Sequence, residues 1–443
     1  MIRFLRKLWK DRRGNAIVIA GVALPIVVGG AGLATDTIQW VLWKRELQRA
    51  ADSAAIAGVM AEAEGTTVES VETAVTKDLN ENNNHSGVNL KTSYSYCSNT
   101  CDLSFPLSGT GYSKGVQVTI AIQKTLGFSS LFLKTAPTIT ATATAAMVPG
   151  LNPCAIGLAK NTQSVIIDGS TTTNLGCPVM SNSTVCDAVS TGGSVYTFST
   201  PIVAAVGCLP DMSSHGVTAE LPHYMSQSDP FSGKFSTTIP SDCTTKKLNQ
   251  NTYNKTVGGV TQTWLYSYQT NKRCYGGTNG FKFTGGTYYM DPGTYYIDST
   301  DFDTTGGATL IGTGVTLILT GATPGSLQMN GSATIKLSAP TTSCVDAVTG
   351  LDPCYKDMLF IQSSSASTNN TNTISGDASS KFDGAFYLPN GQVKFSGNNN
   401  ATTKCAMVIG YTIEFSGNSD LQNNTTGCTA NTTATIQQVK LIA

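Results

Sequence analysis

The sequence predicts an α+β protein with an all-β C-terminal domain. An N-terminal transmembrane helix continues into a second helical segment beside a small antiparallel sheet, and a parallel β-helix, or solenoid-like, domain follows. Three observations carry this reading. Residues 15–37 (NAIVIAGVALPIVVGGAGLATDT) are almost uncharged and apolar. Residues 116–123 and 138–147 alternate with period two. Beyond about residue 150 a short β-rich run, a Gly/Asn/Asp corner and another β-rich run recur.

Between Ala16 and Ala34 no side chain ionises. At ~1.5 Å per residue such a helix matches a bilayer's hydrocarbon core. Arg3, Arg6, Lys7, Lys10, Arg12 and Arg13 precede it against Asp11, which by the positive-inside bias keeps the N-terminus in the cytoplasm. Trp9, Trp40 and Trp43 flank it, where indoles favour the headgroup region. A removed signal peptide, with Gly32-Leu33-Ala34 as its cleavage site, and a buried core helix are the competing readings. Gly21, Gly29, Gly30 and Ala34 carry little bulk and permit close approach by another membrane helix.

The chain has 443 residues, a formal net charge of +0 and 13% charged side chains. That length exceeds one ordinary core, so two domains are expected beyond the membrane. Without a basic stripe outside the leader, a nucleic-acid partner is excluded, because affinity for phosphate backbones comes from Lys and Arg. Twelve cysteines, all beyond the apolar run, fit an oxidising compartment such as the periplasm. Proximity in sequence pairs Cys97 with Cys101, Cys344 with Cys354 and Cys405 with Cys428. For Cys97 and Cys101 a zinc site is the alternative, but His85 is the only further ligand nearby.

The segments fall in order: a basic cytoplasmic leader (1–14), the transmembrane helix (15–37), a membrane-proximal domain (38–148) and a Gly/Ser/Thr/Asn-rich solenoid with disulfides (149–443). Residues 41–64 are helix formers without proline, so the anchor continues unbroken into water as a rod of roughly 70 Å. Leu47, Ala51, Ala54 and Gly58 form a small apolar stripe at i, i+4, i+7, i+11, suited to a sheet or another helix. Residues 68–79 read as a short amphipathic helix, 90–96, 116–123 and 138–147 as strands, and 126–133 (LGFSSLFL) as an apolar link. A long helix followed by a small antiparallel sheet is a pilin-like plan. Val148-Pro-Gly-Leu-Asn-Pro153 marks the boundary. After it, Phe395-Ser-Gly-Asn and Phe415-Ser-Gly-Asn recur at solenoid spacing, with an all-β sandwich as the alternative.

Residues 12–58 resemble the N-terminal signature of the TadE/TadG-like family, the tight-adherence (Tad, Flp) pilus-assembly proteins of bacteria. The likeness rests on Arg12-Arg13-Gly14-Asn15, Leu24-Pro25, GLATD at 32–36 and LQRAADSAA at 47–55. Residues 116–147, 383–398 and 407–421 resemble further segments of the larger TadG-type members. Prepilin-like members carry glutamate five residues after a cleaved glycine, whereas Gly14 is followed by Asn15-Ala16-Ile17-Val18-Ile19, which argues against processing here. Some TadG-type proteins hold a metal on Asp-x-Ser-x-Ser. Asp168-Gly169-Ser170 imitates it, but the phrase recurs at Asn330-Gly331-Ser332 and reads as a solenoid corner.

The resemblance implies a non-catalytic component of the inner membrane, with its C-terminal domains in the periplasm, that assembles, anchors or stabilises an adhesive Tad pilus. Its partners would be the bilayer and other pilus-assembly or pilin subunits, with a cell-envelope glycan as a further ligand. No cofactor, metal or catalytic residue is expected. A pilus-tip adhesin or carbohydrate-binding protein is the second reading. A β-helix polysaccharide-cleaving enzyme using Asp301 and Asp303 is the third; turn hydrogen bonding explains Asp298, Asp301 and Asp303 more simply.

Overall fold

The computed structural model describes residues 13–442, apart from 64–67, 83–90, 98–113, 169–171, 193–196, 279, 330–331, 343–354, 376–378, 397–399, 405–406, 417–419 and 425–435. The chain forms two compact units, Met1–Pro149 with Gln438–Ala443, and Gly150–Gln437.

The first unit is built on α1 (Arg13–Ala63), one helix of 51 residues. At ~1.5 Å per residue it runs about 76 Å, so the apolar run and the polar segment after it are a single rod. Pro25 lies inside it. Thr35 and Thr37 donate their hydroxyls to the carbonyls of Ala31 and Leu33, both at 2.7 Å, so these polar groups are satisfied within the helix. Helix α2 (Val68–Lys77) follows, then a π-helical turn (Asp78–Asn82). Val71 and Val75 on α2 and Leu79 on the turn, spaced four apart, are buried.

Strands β1 (Lys91–Cys97), β2 (Lys114–Gln123) and β3 (Thr138–Pro149) pair antiparallel, with Tyr94 opposite Val118 and Val118 opposite Ala143. The fourth strand of this sheet is the last of the chain, β4 (Gln437–Leu441), beside β3. The sequence reading did not foresee this return. On β2, Val116, Val118, Ile120 and Ile122 are buried; on β3, Ile139, Ala141, Ala143 and Ala145 are. Period-two alternation thus gives the sheet one inner face, and alanine on β3 leaves room for a helix backbone to lie close.

The second unit is a parallel β-solenoid of about nine turns. Its coils do not stack in sequence order. The strand Val408–Ser416 pairs on one side with Ala385–Phe395 and on the other with Ala155–Gly157 and Val165–Asp168. The chain therefore starts in the middle of the stack. It builds outward to Val217–Leu221, resumes at Thr244–Lys246 and Arg273–Gly276, and returns coil by coil to close on its first strands. Entry and exit are bonded to each other: Gly150 N–H donates to Ile436 O and Ile436 N–H to Leu151 O, both at 2.8 Å.

A ladder of aromatic rings runs through the core. Tyr275, Phe281, Phe302, Phe360, Phe386, Phe395, Phe415 and Phe198 meet in succession at centroid distances of 4.6, 5.6, 5.8, 5.1, 6.2, 5.6 and 5.7 Å. In-register parallel coils put like residues above one another, which is why the two Phe-Ser-Gly-Asn phrases bring Phe395 and Phe415 into a stack tilted by only 11°. At the Gly306-Gly307 corner both residues have positive φ (63° and 69°), a conformation open to glycine at little cost.

Disulfides join Cys154 to Cys177, Cys186 to Cys208 and Cys243 to Cys274. The pairs expected from sequence proximity rest on Cys101, Cys344, Cys354, Cys405 and Cys428, which lie outside the described residues, as does the side chain of Cys97. Between coils, proximity in the chain is the wrong guide. Cys177 is nearer in sequence to Cys186, yet the solenoid sets it beside Cys154 on the neighbouring coil.

Replacing Phe360, whose ring touches both Phe302 and Phe386 and is fully buried, by Ala should cost about 3–5 kcal/mol. Denaturant unfolding of the full chain in detergent checks this, and a loss below about 1 kcal/mol would mean that the ladder does not carry the core.

Candidate interaction site on the N-terminal helix

The stripe Leu47, Ala51, Ala54 and Gly58 is wholly buried in its own unit. It faces β3, β2 and α2. A Cβ added at Gly58 would meet Val116 Cγ1 and Val75 Cγ2, each at 2.9 Å, so glycine is what lets the three elements converge. Polar contacts edge this seam: Lys44 Nζ donates to Thr140 O, Gln48 Nε2 to Thr142 O at 2.8 Å and Lys114 Nζ to Glu62 O at 2.7 Å. The stripe is an internal seam and is not available to a second protein.

Toward the N-terminus the helix is bare. Gly21, Gly30 and Ala34 are exposed, Gly29 is half-buried, and an added Cβ at any of the three glycines meets nothing within 4 Å. These four residues do not share one face. At about 100° per residue Gly21 and Gly30 point to opposite sides, while Gly30 and Ala34 lie one turn apart. Gly30 and Ala34 lie about 90° and 130° around the helix from the side on which Leu47, Ala51, Ala54 and Gly58 meet the sheet. The open small-residue contact is therefore Gly30 with Ala34, joined by Ala23 at i−7 from Gly30.

A second feature of α1 escaped the sequence reading. Asp36 is 4% exposed. Its carboxylate accepts from Phe128 N–H (2.9 Å) and from the backbone N–H and hydroxyl of Ser129 (both 2.5 Å). One turn earlier, a Cβ added at Gly32 would lie 2.3 Å from the Phe128 ring. Gly32 and Asp36 form a clasp that holds the link between β2 and β3 against the helix. The signal was present in GLATD, where glycine and aspartate stand at i and i+4 on one face.

Glu62 is 5% exposed, and among the described residues neither carboxylate oxygen has a hydrogen-bond partner. Burial pushes its carboxyl up to about 7, against a smaller opposing pull from the Lys114 ammonium.

In the solenoid, the aspartates weighed for catalysis are engaged in structure. Asp301 Oδ1 accepts from Ser326 N–H (2.8 Å) and its hydroxyl (3.0 Å), Asp303 pairs with Lys282 at 2.6 Å, and Asp298 accepts from the Ser299 hydroxyl at 2.9 Å. On the sheet formed by 252–257, 260–265, 287–290, 309–313, 334–338 and 381–383, Trp264 and Tyr289 stack 5.3 Å apart, with the Lys255 ammonium 4.5 Å from the Trp264 ring. Thr263 and Tyr288, one position back on the same strands and so turned to the other face, line with Lys247, Asn249 and Lys282 an open cleft of about 550 Å³.

These features define a class: a protein with, among the described residues, one helix long and apolar enough to cross a membrane, a helix-on-sheet head and a β-solenoid. An 18-residue window of that helix has mean hydropathy 1.6 and is 6% buried, which sets aside the buried-core reading. Residues 14–61 match the family described as Putative Flp pilus-assembly TadE/G-like. The N-terminal segment is thus a TadE/G-like domain, and the match supports membrane anchoring and involvement in the Tad pilus system. No curated protein and no solved structure matches the chain.

The Glu62 carboxyl titrates higher in the folded chain than its ordinary 4.5, so the folded state holds the extra proton between about pH 4.5 and 7. Stability should be greatest below that window and fall by on the order of 3 kcal/mol as pH rises through it. Glu62→Gln should flatten the fall. Melting temperatures of the full chain in detergent at pH 5 and pH 8 test this, and an identical pH slope in the two proteins would remove Glu62 from the account.

Proposed function

We propose that the chain is a non-catalytic, membrane-anchored component that assembles, anchors or stabilises a Tad-type adhesive pilus. Its N-terminus lies in the cytoplasm, and its head and solenoid lie in the periplasm. The observation that carries this is the bare, small-residue side of α1 within a TadE/G-like domain: among the described residues the apolar helix has no partner at Gly30, and Ala34 is exposed. Helices in lipid associate by close packing at such positions, so α1 would hold another subunit's membrane helix there, while the buried stripe keeps the head rigid.

A second reading, a glycan-binding adhesin, is favoured by the Trp264–Tyr289 stack, since aromatic faces stack on sugar C–H groups. Retention of the full chain on immobilised cell-wall glycan, lost in Trp264→Ala, supports that reading, and equal retention dismisses it.

For the principal reading, Gly30→Leu should reduce capture of pilus subunits by in-cell crosslinking several-fold, while membrane recovery is unchanged. Leucine at Gly21, on the other side of the helix, should leave capture intact. Equal capture in all three proteins would refute packing at Gly30.

A further inference from the structure

Leu131, Phe132 and Leu133 are consecutive and 74%, 74% and 52% exposed. In water a run of this kind at the tip of a loop is unfavourable, and its place in the fold supplies what covers it. The loop begins at Leu126, which is buried, and turns through a short 3-10 segment at Ser129–Leu131. It is fixed to α1 at two levels. Asp36 takes the N–H groups of Phe128 and Ser129, and the Phe128 ring lies on Gly32, inside the stretch from Ala16 to Ala34 that carries no ionisable side chain.

We propose that residues 128–133 are seated in lipid, with Leu131, Phe132 and Leu133 entering the acyl boundary of the bilayer where α1 emerges. The inference rests on α1 crossing the membrane. Depth follows from the helix itself: Gly32 lies within the apolar run, about 6 Å deeper than Asp36 along the axis, and Phe128 is held at that depth. Leu33, Ile38 and Leu42 remain 57%, 60% and 57% exposed on α1, so the helix also presents open apolar side chains around the level of the loop. The rim above fits headgroups. Lys124 Nζ lies 5.0 Å from the Trp43 ring centroid, and Ser129, Ser130, Lys134 and Thr135 line a pocket of about 250 Å³ in the loop. Asp36 gives the loop a second role for its carboxylate. A charge beside the acyl region is costly unless hydrogen bonded, and the backbone donors of the loop bond it. The head would then be held at the surface by two elements, a helix that crosses and a loop that dips, which restricts its tilt.

The test uses the full chain in vesicles of phosphatidylethanolamine and phosphatidylglycerol carrying radiolabelled phospholipid. A benzophenone amino acid replaces Phe132, Ile26 in α1, or Thr142, which is exposed on β3. Lipid labelling at 132 should approach that at 26 and exceed that at 142 at least ten-fold. Asp36→Ala should lower labelling at 132 several-fold without changing it at 26. Labelling at 26 with 132 at the level of 142 overturns the loop proposal alone, and so does capture of a second protein copy at 132. Unchanged labelling at 132 in Asp36→Ala overturns the clasp as the device that sets its depth. No labelling at 26 overturns the membrane reading on which the proposal stands.

Discussion

The close approach of α1 to its own sheet is the constraint on which the rest of the first unit depends. The helix packs on β3, and Ala50, Ala51, Ala54 and Ala55 on the one and Ala141, Ala143 and Ala145 on the other are all buried, while Gly58 meets Val116 on β2 and Val75 on α2. With mostly small side chains on both surfaces, the backbones come near enough for Lys44 and Gln48 to reach carbonyls on β3. Such packing gains little apolar area per residue but is intolerant of added volume, because interiors are filled to near crystal density. The consequence is a rigid joint: the half of α1 in water is fixed by the sheet, so the half outside it is aimed by the head. The Gly32–Asp36 clasp extends that joint one more step along the helix.

One helix therefore serves two media with two different surfaces. In the head its small side chains are spent internally, and sliding or exchange of partners there would expose the core. Beyond the head its small side chains are open, and Gly30 and Ala34 lie about 90° and 130° around the helix from the side that meets the sheet. A partner packed at Gly30 and Ala34, as proposed, would not compete with internal packing for the same residues. The solenoid is organised by a similar economy of register. Because coils repeat in register, each aromatic ring, such as Phe395 over Phe415, and each charged pair, such as Lys394 with Glu414 at 2.5 Å, bonds the next coil.

What the sequence revealed and what it hid divide by range. Periodicities of 3.6 and 2 are local, so α1, the Leu47 stripe and the strands of the first sheet could be read from neighbouring residues. The recurrence of Phe-Ser-Gly-Asn announced in-register coils for the same reason. Pairings that depend on topology were not legible. Nothing in residues 437–441 signals that they join β3, and nothing in 155–168 signals that they lie against 408–416. The pairing of Cys154 with Cys177 is of the same kind, since it is set by stacking between coils. The clasp was half legible. Gly32 and Asp36 were visible as part of a motif, but their partner, Phe128 to Leu133, read only as an apolar link whose destination the chain does not state.

The central claim is that residues 15–37 remain in the membrane as the inner half of α1, continuous with the head. Alkaline washing of cell membranes, followed by the intact mass of the recovered chain, tests it most directly. The account predicts a chain that stays with the membrane pellet and whose mass includes residues 15–37. A chain released into the wash and beginning at Thr35 would contradict it.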